Sequence, residues 1–295
     1  MISIIITSFN EPGTIGKAIE SFLNQNINEK YEIIIAAPDA ETHRIVNNYK
    51  KKHKQIRLFK DPGKGKSFAI NLLLPTLKGD IIILTDGDVY VSGNSVNEIL
   101  TEFKDKNVGC VSGFPVSLES KKTMLGYWSH ILCYAAHRLR MQRAKHENFL
   151  ECSGYLWAFR NKVIKKFPLD VGEDTIVPIM FFLKGYKIKY APKAKVYVKY
   201  TQNLKEFLKQ KRRTAGAHDN IYKYVCLKKI PRMKTLFNEI ADSYTLFFYI
   251  KNFKEFLWTL LLFPLRLYIW MNLLYNSKIR GKKYRDAWKR IESTK

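Results

Sequence analysis

The first 115 residues alternate short runs of aliphatic residues with stretches in which apolar positions recur at helical spacing. Runs such as IIIL contain almost no polar position, which is typical of strands buried on both faces. The pattern predicts strands over 2–7, 31–36, 56–59, 80–85 and 108–114, and helices over 13–26, 42–53, 66–77 and 94–104. Because strands and helices alternate, we expect an α/β fold with a mostly parallel sheet flanked by helices.

The middle of the chain is less regular. Its pattern predicts a long helix over 121–145, a strand around 152–159, a helix that begins near 172–175 and a basic helix over 203–217. Between the last two, the stretch GYKIKYAPKAKVYV (185–198) predicts a pair of strands.

The run Phe256–Tyr275 is mostly apolar and twenty residues long, about the length that spans a bilayer. Pro264 and Arg266 lie near its centre, and a mid-bilayer arginine costs about 3 kcal/mol. Polar residues also fall on one narrow stripe of the predicted helix, namely Asn252, Glu255, Thr259, Arg266 and Ser277. We therefore expect a helix in the plane of a membrane, with a buried packing helix or a true span as the alternatives.

The charge of the chain is strongly positive, with 51 Lys and Arg residues against 26 Asp and Glu residues, a net charge of +25. Such a surplus indicates an anionic partner, which could be nucleic acid, a membrane surface or a phosphorylated substrate. Basic residues outnumber acidic ones by eleven to two over 199–234 and by eight to two over 278–295. Because this charge flanks the apolar run, it favours lipid headgroups over nucleic acid.

Carboxylates follow several of the predicted strands, at the edge where ligands bind in parallel sheets. Asp39 follows the second strand, and Asp86-Gly87-Asp88 follows the fourth. Two carboxylates separated by one glycine can hold a hard divalent cation against phosphate oxygens. An isolated D-G-D is more often a solvated turn. Its place directly after a buried strand favours the cation.

The loop KDPGKGKS (60–67) contains the second half of a nucleoside-triphosphate loop, G-K-S, but Lys60 stands where the first glycine is required. It is either a damaged loop of that kind or a basic loop that meets a nucleotide in another way. Three residues of the predicted helix 121–145 raise a second alternative, because His130, Cys133 and His137 share one helix face. A metal site there has no evident fourth ligand, which favours the edge of a core.

Six motifs occur in the order and approximate spacing of family 2 glycosyltransferases with the GT-A fold: TSFNE, DPGKGKSFAIN, TDGD, CSGYLWAFR, GEDT and QKRRT. The chain resembles this family over residues 1 to about 220. On this resemblance, KDPGKGKS is similar to the family's loop beside the sugar-nucleotide and not to a triphosphate loop.

The resemblance implies roles for individual residues. Those implied to bind the donor are Thr7 and Glu11 at the nucleoside, Lys66 near the diphosphate, Asp86 near the ribose and metal, and Gln210 and Arg213 of a Q-x-x-R motif. Asp88 would be the metal ligand, and Asp174 the general base that takes the proton of the acceptor hydroxyl.

Two positions depart from the family pattern. Thr214 replaces the tryptophan that ends the Q-x-x-R motif in processive or lipid-acceptor members. The stretch Ala36-Ala37-Pro38-Asp39 stands where the family often has Asp-Asp-Gly-Ser. Asp39 could still reach the base or the ribose.

The resemblance thus implies an inverting, Mn- or Mg-dependent glycosyltransferase that uses a nucleoside-diphosphate-sugar. With the apolar run and its basic flanks, it predicts a catalytic domain over 1–220 and a helical, membrane-associating region over 221–295. The expected acceptor is a polyprenyl-phosphate or a lipid-linked glycan at the cytoplasmic face of the cell membrane, with no nucleic-acid partner. The alternatives are a nucleic-acid-binding protein and a nucleotidyltransferase or kinase that shares the carboxylate pair.

Overall fold

The computed structural model describes residues 1–216, 218, 220–226, 230, 233 and 235–275. Its strands are β1 (Ile2–Thr7), β2 (Tyr31–Ala37), β3 (Ile56–Lys60), β4 (Ile81–Asp86), β5 (Tyr90–Val91), β6 (Val108–Ser117), β7 (Leu156–Arg160) and β8 (Lys187–Val198). Within the described residues they form one sheet in the order β3-β2-β1-β4-β7-β6-β8-β5. β1 pairs in parallel with β2 and β4, whereas β7 runs antiparallel to β4 and β6. The mostly parallel sheet is confirmed.

The helices are α1 (Ile15–Leu23), α2 (Ala40–Lys52), α3 (Lys66–Leu73), α4 (Ser95–Glu102), α5 (Met124–Lys145), α6 (Glu173–Leu183), α7 (Leu204–Gly216), α8 (Leu236–Asp242) and α9 (Phe253–Leu274). The sheet is buried on both faces, and alternate residues of β1 show why. Ile4 and Ile6 join the core formed with α1, α2 and α4, whereas Ile5 joins the opposite core with α3 and α6. Helices therefore flank the sheet on both faces, as predicted.

The predicted strand pair over 185–198 is wrong. β8 is one continuous strand of twelve residues that runs parallel to β6 and pairs near its end with β5. Its register against β6 shifts between Ser112 and Phe114, where the partner residues jump from Tyr190 to Lys195. This irregularity takes up the extra residues around Pro192, so the proline interrupts the pairing without reversing the chain.

A third apolar cluster joins α5, α7 and α9 beside the sheet. Tyr127 and Ile131 of α5 pack there with Phe207 of α7 and with Leu262 and Ile269 of α9. The apolar run predicted from the sequence therefore forms one continuous helix that lies on the protein. Within the part of the chain that the structure describes, no helix has both the length and the apolar character needed to cross a bilayer.

The polar stripe of α9 faces the protein. Thr259 is fully buried and shares a hydrogen bond with the Tyr127 hydroxyl, 2.9 Å away. Arg266 donates from Nε and Nη2 to the carboxylate of Glu239 in α8, at 2.5 and 2.7 Å. These two residues of the stripe therefore contact the protein, as a packing helix requires, and the placement of α9 at a membrane stays a prediction; Ser277 lies outside the described residues. The outward face carries exposed apolar side chains instead, namely Leu257, Leu260, Leu261, Leu267 and Met271.

Candidate active site

The carboxyl ends of β1 and β4 lie side by side because Thr7 pairs directly with Asp86 in the parallel ladder. The Thr7 hydroxyl lies 3.1 Å from Asp86 Oδ1 and 3.2 Å from the carbonyl oxygen of Thr85. Sheet register therefore places the first and third predicted motifs, TSFNE and TDGD, at one edge of the sheet.

Gly87 allows the two motifs to meet. A Cβ at this position would lie 2.6 Å from Glu11 Oε2 and 2.8 Å from the side chain of Ser8. The Ser8 hydroxyl in turn donates to Glu11 Oε2 at 3.0 Å. Glu11 therefore lies against the backbone between Asp86 and Asp88, and a residue other than glycine would push it away.

Lys66 links two carboxylates from distant parts of the chain. It begins α3 directly after Gly65, whose φ of 111° is a conformation that favours glycine. Its Nζ lies 2.7 Å from Asp86 Oδ1 and 2.8 Å from Glu173 Oε1. Burial alone would lower the pKa of Lys66, but the charges of Asp86 and Glu173 outweigh it and raise that pKa above its usual range. Lys66 is therefore a permanently charged bridge.

The same bridge fixes the helix that carries the predicted base. Glu173 and Asp174 are the first two residues of α6, where carboxylates complement the helix dipole. Asp174 lies against the backbone of Gly154, since a Cβ there would be 3.0 Å from Asp174 Oδ2. Burial, and secondarily the charge of Asp174, raise the pKa of Glu173, while Lys66 acts in the opposite direction.

Tyr155 connects the second carboxylate of the D-G-D stretch with α7. Burial raises the pKa of its phenol, Asp88 and Asp86 raise it further, and Arg213 opposes them. Asp88 and Arg213 therefore affect the ionisation of Tyr155 in opposite directions. Gln210 lies before Arg213 in α7. It is buried, and its side-chain oxygen has no hydrogen-bond partner among the described residues. A buried acceptor of this kind is what a bound ligand can satisfy.

Asp39 has a clear structural task at the edge of this site. Its Oδ1 accepts the backbone N–H of Thr42 and caps α2, and its Oδ2 accepts the backbone N–H of Asn10, each at 2.8 Å. Burial would raise the pKa of Asp39, but these hydrogen bonds outweigh it and lower that pKa. Asp39 therefore ties the loop after β1 to α2, and its contact with a nucleoside stays a prediction.

The three candidate ligands on α5 each have a partner of their own. His130 Nε2 lies 2.7 Å from the carbonyl oxygen of Glu119, Cys133 Sγ lies 3.1 Å from the Tyr200 hydroxyl, and His137 Nδ1 lies 2.8 Å from that of Tyr190. These contacts are those of a core edge, the alternative that the sequence favoured.

Sequence reasoning missed three residues of the site. It assigned Glu173 no part beyond the helix start, although this residue is the second partner of Lys66. Tyr155 and Gly154 both lie within the motif CSGYLWAFR, which was used only for the family resemblance. The available signal for these two residues was their position, since Gly154 and Tyr155 stand directly before the buried strand β7.

Two curated proteins are similar to the chain over most of its length. "Probable glycosyltransferase YdaM" of Bacillus subtilis is 26% identical over 268 residues, which cover 84% of this chain and 63% of that protein. "Poly-beta-1,6-N-acetyl-D-glucosamine synthase" of Staphylococcus epidermidis is 24% identical over 262 residues, covering 82% and 61%. The chain thus spans less than two thirds of the length of these relatives.

Two solved structures share the fold. A mannosyltransferase, PcManGT from Pyrobaculum calidifontis in complex with GDP-Man and Mn2+, superposes with a TM-score of 0.62 at 16% identity, over 92% of this chain and 83% of its own. S. aureus TarS 1–349 in complex with UDP-GlcNAc gives 0.50 at 16% identity, over 72% and 65%. The GT-A fold is confirmed.

The sequence also matches the family described as "Glycosyltransferase like family 2" over residues 1–217. Since that match includes all six motifs and most of the 295 residues, the chain belongs to glycosyltransferase family 2.

Proposed function

We propose that the chain is an inverting glycosyltransferase that moves a sugar from a nucleoside-diphosphate-sugar to a hydroxyl or phosphate acceptor. Membership of the family favours this activity over nucleic-acid binding and over nucleotidyl transfer. The observation that carries the proposal is the Lys66 bridge, which joins Asp86 at the end of β4 to Glu173 beside Asp174. It holds the end of β4, where the proposed donor-side carboxylates lie, next to the start of α6, where the proposed base lies.

In this proposal Asp174 acts on the acceptor. Its carboxylate takes the proton of the acceptor O–H while the acceptor oxygen forms a bond to the anomeric carbon. The bond from that carbon to the diphosphate oxygen breaks on the opposite face, so the configuration inverts and a nucleoside diphosphate leaves. Thr7, Glu11, Gln210 and Arg213 are assigned to the donor, and the orphaned side-chain oxygen of Gln210 supports a ligand there.

A divalent cation fits the residues at the end of β4. Mg²⁺ and Mn²⁺ prefer oxygen ligands, and Mg²⁺ is often held by one or two carboxylates plus substrate phosphates. Asp88, with Asp86 beside it, offers such a pair, although no group of three or more His, Cys, Asp or Glu suited to a metal occurs in the described part of the chain. The shortfall agrees with a site completed by the donor. When bound, the cation would offset negative charge on the departing diphosphate.

A membrane surface is the proposed place of action. Large apolar side chains of residues 237–271 are exposed, with Phe237, Phe253 and Phe248 accessible over 79, 73 and 69% of their surface. An apolar patch of this kind on a soluble surface marks an interaction site, and the chain carries a net charge of +25. We assign residues 1–220 to catalysis and 221–295 to the cytoplasmic face of the cell membrane, with a polyprenyl-phosphate or lipid-linked glycan as acceptor.

Donor and metal binding are tested together by thermal shift with UDP, GDP and their sugars, in the presence of Mn²⁺ or Mg²⁺. We expect one nucleotide series to stabilise the wild type only with the metal, and Asp88→Ala to lose that stabilisation while it keeps its own Tm. Asp105→Ala, at a turn far from the pocket, is the control. Full metal-dependent stabilisation of Asp88→Ala would remove Asp88 from the role of ligand.

Flotation with liposomes tests the membrane. The full chain should float with vesicles that contain anionic lipid, and Phe248→Glu should float less because a charge enters the apolar patch. Leu72→Glu changes an exposed leucine of α3 and should float like the wild type. Equal flotation of the two variants would exclude the patch as the contact surface.

A further inference from the structure

A cavity of about 1010 Å³ lies between α5 and the C-terminal helices. Its volume is at the upper end of the range of small-molecule pockets, about 300–1,000 Å³. The wall is formed by Ala136 and Leu139 of α5, Ile179 of α6, and Leu262 and Trp270 of α9, among other described residues. The reaction assigned above does not use this space.

The character of the wall indicates what can occupy it. Most of the wall is apolar, and water is retained only in cavities that offer it several polar partners. The cost of leaving an apolar cavity unfilled grows with its volume, while the net stability of a domain is small. A space of this size therefore suits a long apolar ligand.

One end of the cavity lies near the start of α6, the helix that carries the proposed base. His218 lines it, and its Nε2 lies 3.5 Å from the hydroxyl of Thr175, the residue after Asp174. The same nitrogen lies 3.2 Å from Oε2 of Glu151, which is buried in the wall. Arg140, also buried, lines this end as well. Arg140, Glu151 and His218 thus form one polar group beside the start of α6, and Glu239 and Arg266 form a second one between α8 and α9.

The other end opens on the exposed apolar patch. Ile240, Tyr244 and Leu267 line the cavity and are also exposed, at 61, 62 and 49% of their surface. These side chains make the exposed patch continuous with the apolar part of the wall, so an apolar chain can enter the cavity from that surface. The cavity joins the proposed membrane side of the molecule to the proposed catalytic side.

We infer that this cavity binds the hydrocarbon chain of a lipid and directs its polar end toward Asp174. The identification of that lipid as the sugar acceptor rests on the proposed function, whereas binding of the chain does not. The ligand class is a long isoprenyl or acyl chain with a small anionic head, which Arg140 and the net positive charge of the protein complement.

The test measures the affinity of two probes for the full chain at constant detergent concentration. The probes, geranylgeranyl phosphate and isopentenyl phosphate, have the same head and differ in the length of the hydrocarbon chain. The longer probe should bind at least about a hundredfold more tightly, because fifteen further carbons leave water. Ala136→Phe places a ring in the cavity and should weaken the longer probe by at least about tenfold. Met141→Phe, an exposed position of the same helix, should leave its affinity unchanged. Equal affinities of the two probes, or of the two variants, would overturn the inference.

Photocrosslinking of the wild type keeps the test informative if Ala136→Phe does not fold. A hexadecyl phosphate with a diazirine near the chain end should label cavity residues such as Leu132 or Leu262. Labelling confined to the outward residues Leu257 and Leu261 would show surface adsorption and overturn the inference. Nucleotide stabilisation is measured in the same samples. Lipid binding without nucleotide binding would contradict the proposed function alone, and nucleotide binding without lipid in the cavity would contradict this inference alone.

Discussion

The sheet edge and the C-terminal helices arrange polarity in opposite ways. At the sheet edge, aliphatic side chains such as Ile4 and Ile5 are fully buried, and the charged groups of Lys66 and Asp86 meet at the carboxyl ends of the strands. In α8 and α9 the charges of Glu239 and Arg266 face inward, while Phe237 and Phe253 are mostly exposed. The first arrangement suits a polar ligand in water, and the second suits an apolar surrounding.

The largest effect should come from a change at Asp174, the proposed base, which lies on the sheet side of this comparison. Asp174→Asn keeps size and shape but cannot accept the proton, so turnover should fall about 10²- to 10⁴-fold. Affinity for the nucleoside diphosphate should hardly change. Release of nucleoside diphosphate in single-turnover assays, with thermal shift for binding, measures both.

Asp105→Asn makes the same chemical change at a surface turn and should keep full turnover. Loss of nucleotide affinity in Asp174→Asn with turnover preserved would instead place Asp174 on the donor.

The next effect concerns the stability of the sheet edge. Lys66→Met leaves Asp86 and Glu173 close together without their cation, which should cost about 3–5 kcal/mol of unfolding free energy. Adding Glu173→Gln should recover part of this cost, since one of the two stranded charges is then gone. Denaturant unfolding of the single and double variants measures the coupling.

Lys60→Met removes an exposed lysine at the end of β3 and should change stability by less than about 0.5 kcal/mol. A Lys66→Met protein as stable as this control would mean that Lys66 contributes nothing as a bridge.

On the helical side we expect a smaller and local effect. Glu239→Gln removes the charge that pairs with Arg266, at a cost of about 1–2 kcal/mol. Hydrogen exchange should accelerate in α8 and α9, and β1 and β4 should keep their protection. Faster exchange throughout the sheet would show that the two regions unfold as one unit.

The same pair gives a pH dependence. Burial would raise the pKa of Glu239, but Arg266 and Trp270 outweigh it and lower that pKa below its ordinary value of about 4.3. The stabilisation is therefore present above pH 4.3 and is lost as the pH falls through the lowered pKa. Acid should loosen α9 in the wild type, and Glu239→Gln should flatten this dependence.

We expect the smallest effect at Asp39, where two variants should distinguish its capping of α2 from its predicted contact with the donor. Asp39→Ala removes the cap of α2 and should cost about 1 kcal/mol, whereas Asp39→Asn should retain the cap. Asp39→Asn keeps the cap through its amide oxygen but loses the hydrogen bond from the Asn10 N–H, so its Tm should fall by less than that of Asp39→Ala. If Asp39 also contacts the donor, as the sequence predicts, Asp39→Asn should in addition lose about threefold to tenfold in nucleotide affinity. Unchanged affinity would limit Asp39 to its structural task.

Local patterns predicted most of the sheet, because short runs of aliphatic residues are enough to predict strands such as β1 and β4. They could not predict that β8 is a single strand, since the shift that accommodates Pro192 depends on its partner β6. The same limit applies to Arg266. Its charge looked costly in an apolar run until its partner, 27 residues earlier in the chain, was known.

The candidate site, too, could be predicted from local sequence only in part. The D-G-D spacing and its place after a buried strand indicated Asp86 and Asp88 directly. The contact between Lys66 and Glu173 could not be predicted, because the two residues are more than a hundred positions apart in sequence. Only folding brings Glu173 Oε1 to 2.8 Å from Lys66 Nζ. Motifs predict which residues act, whereas the tertiary fold determines which of these residues lie together.

The pairing of Thr7 with Asp86 has a consequence for how the protein reaches its native state. Side chains alternate between the two faces of a strand, so a slip of one residue between β1 and β4 would turn Asp86 away from Lys66. Parallel strands must find their partners across long loops and are slow to form. A refolding chain can therefore recover its helical signal before it recovers affinity for nucleotide. Nucleotide binding followed against time would report the moment at which these two strands are correctly aligned.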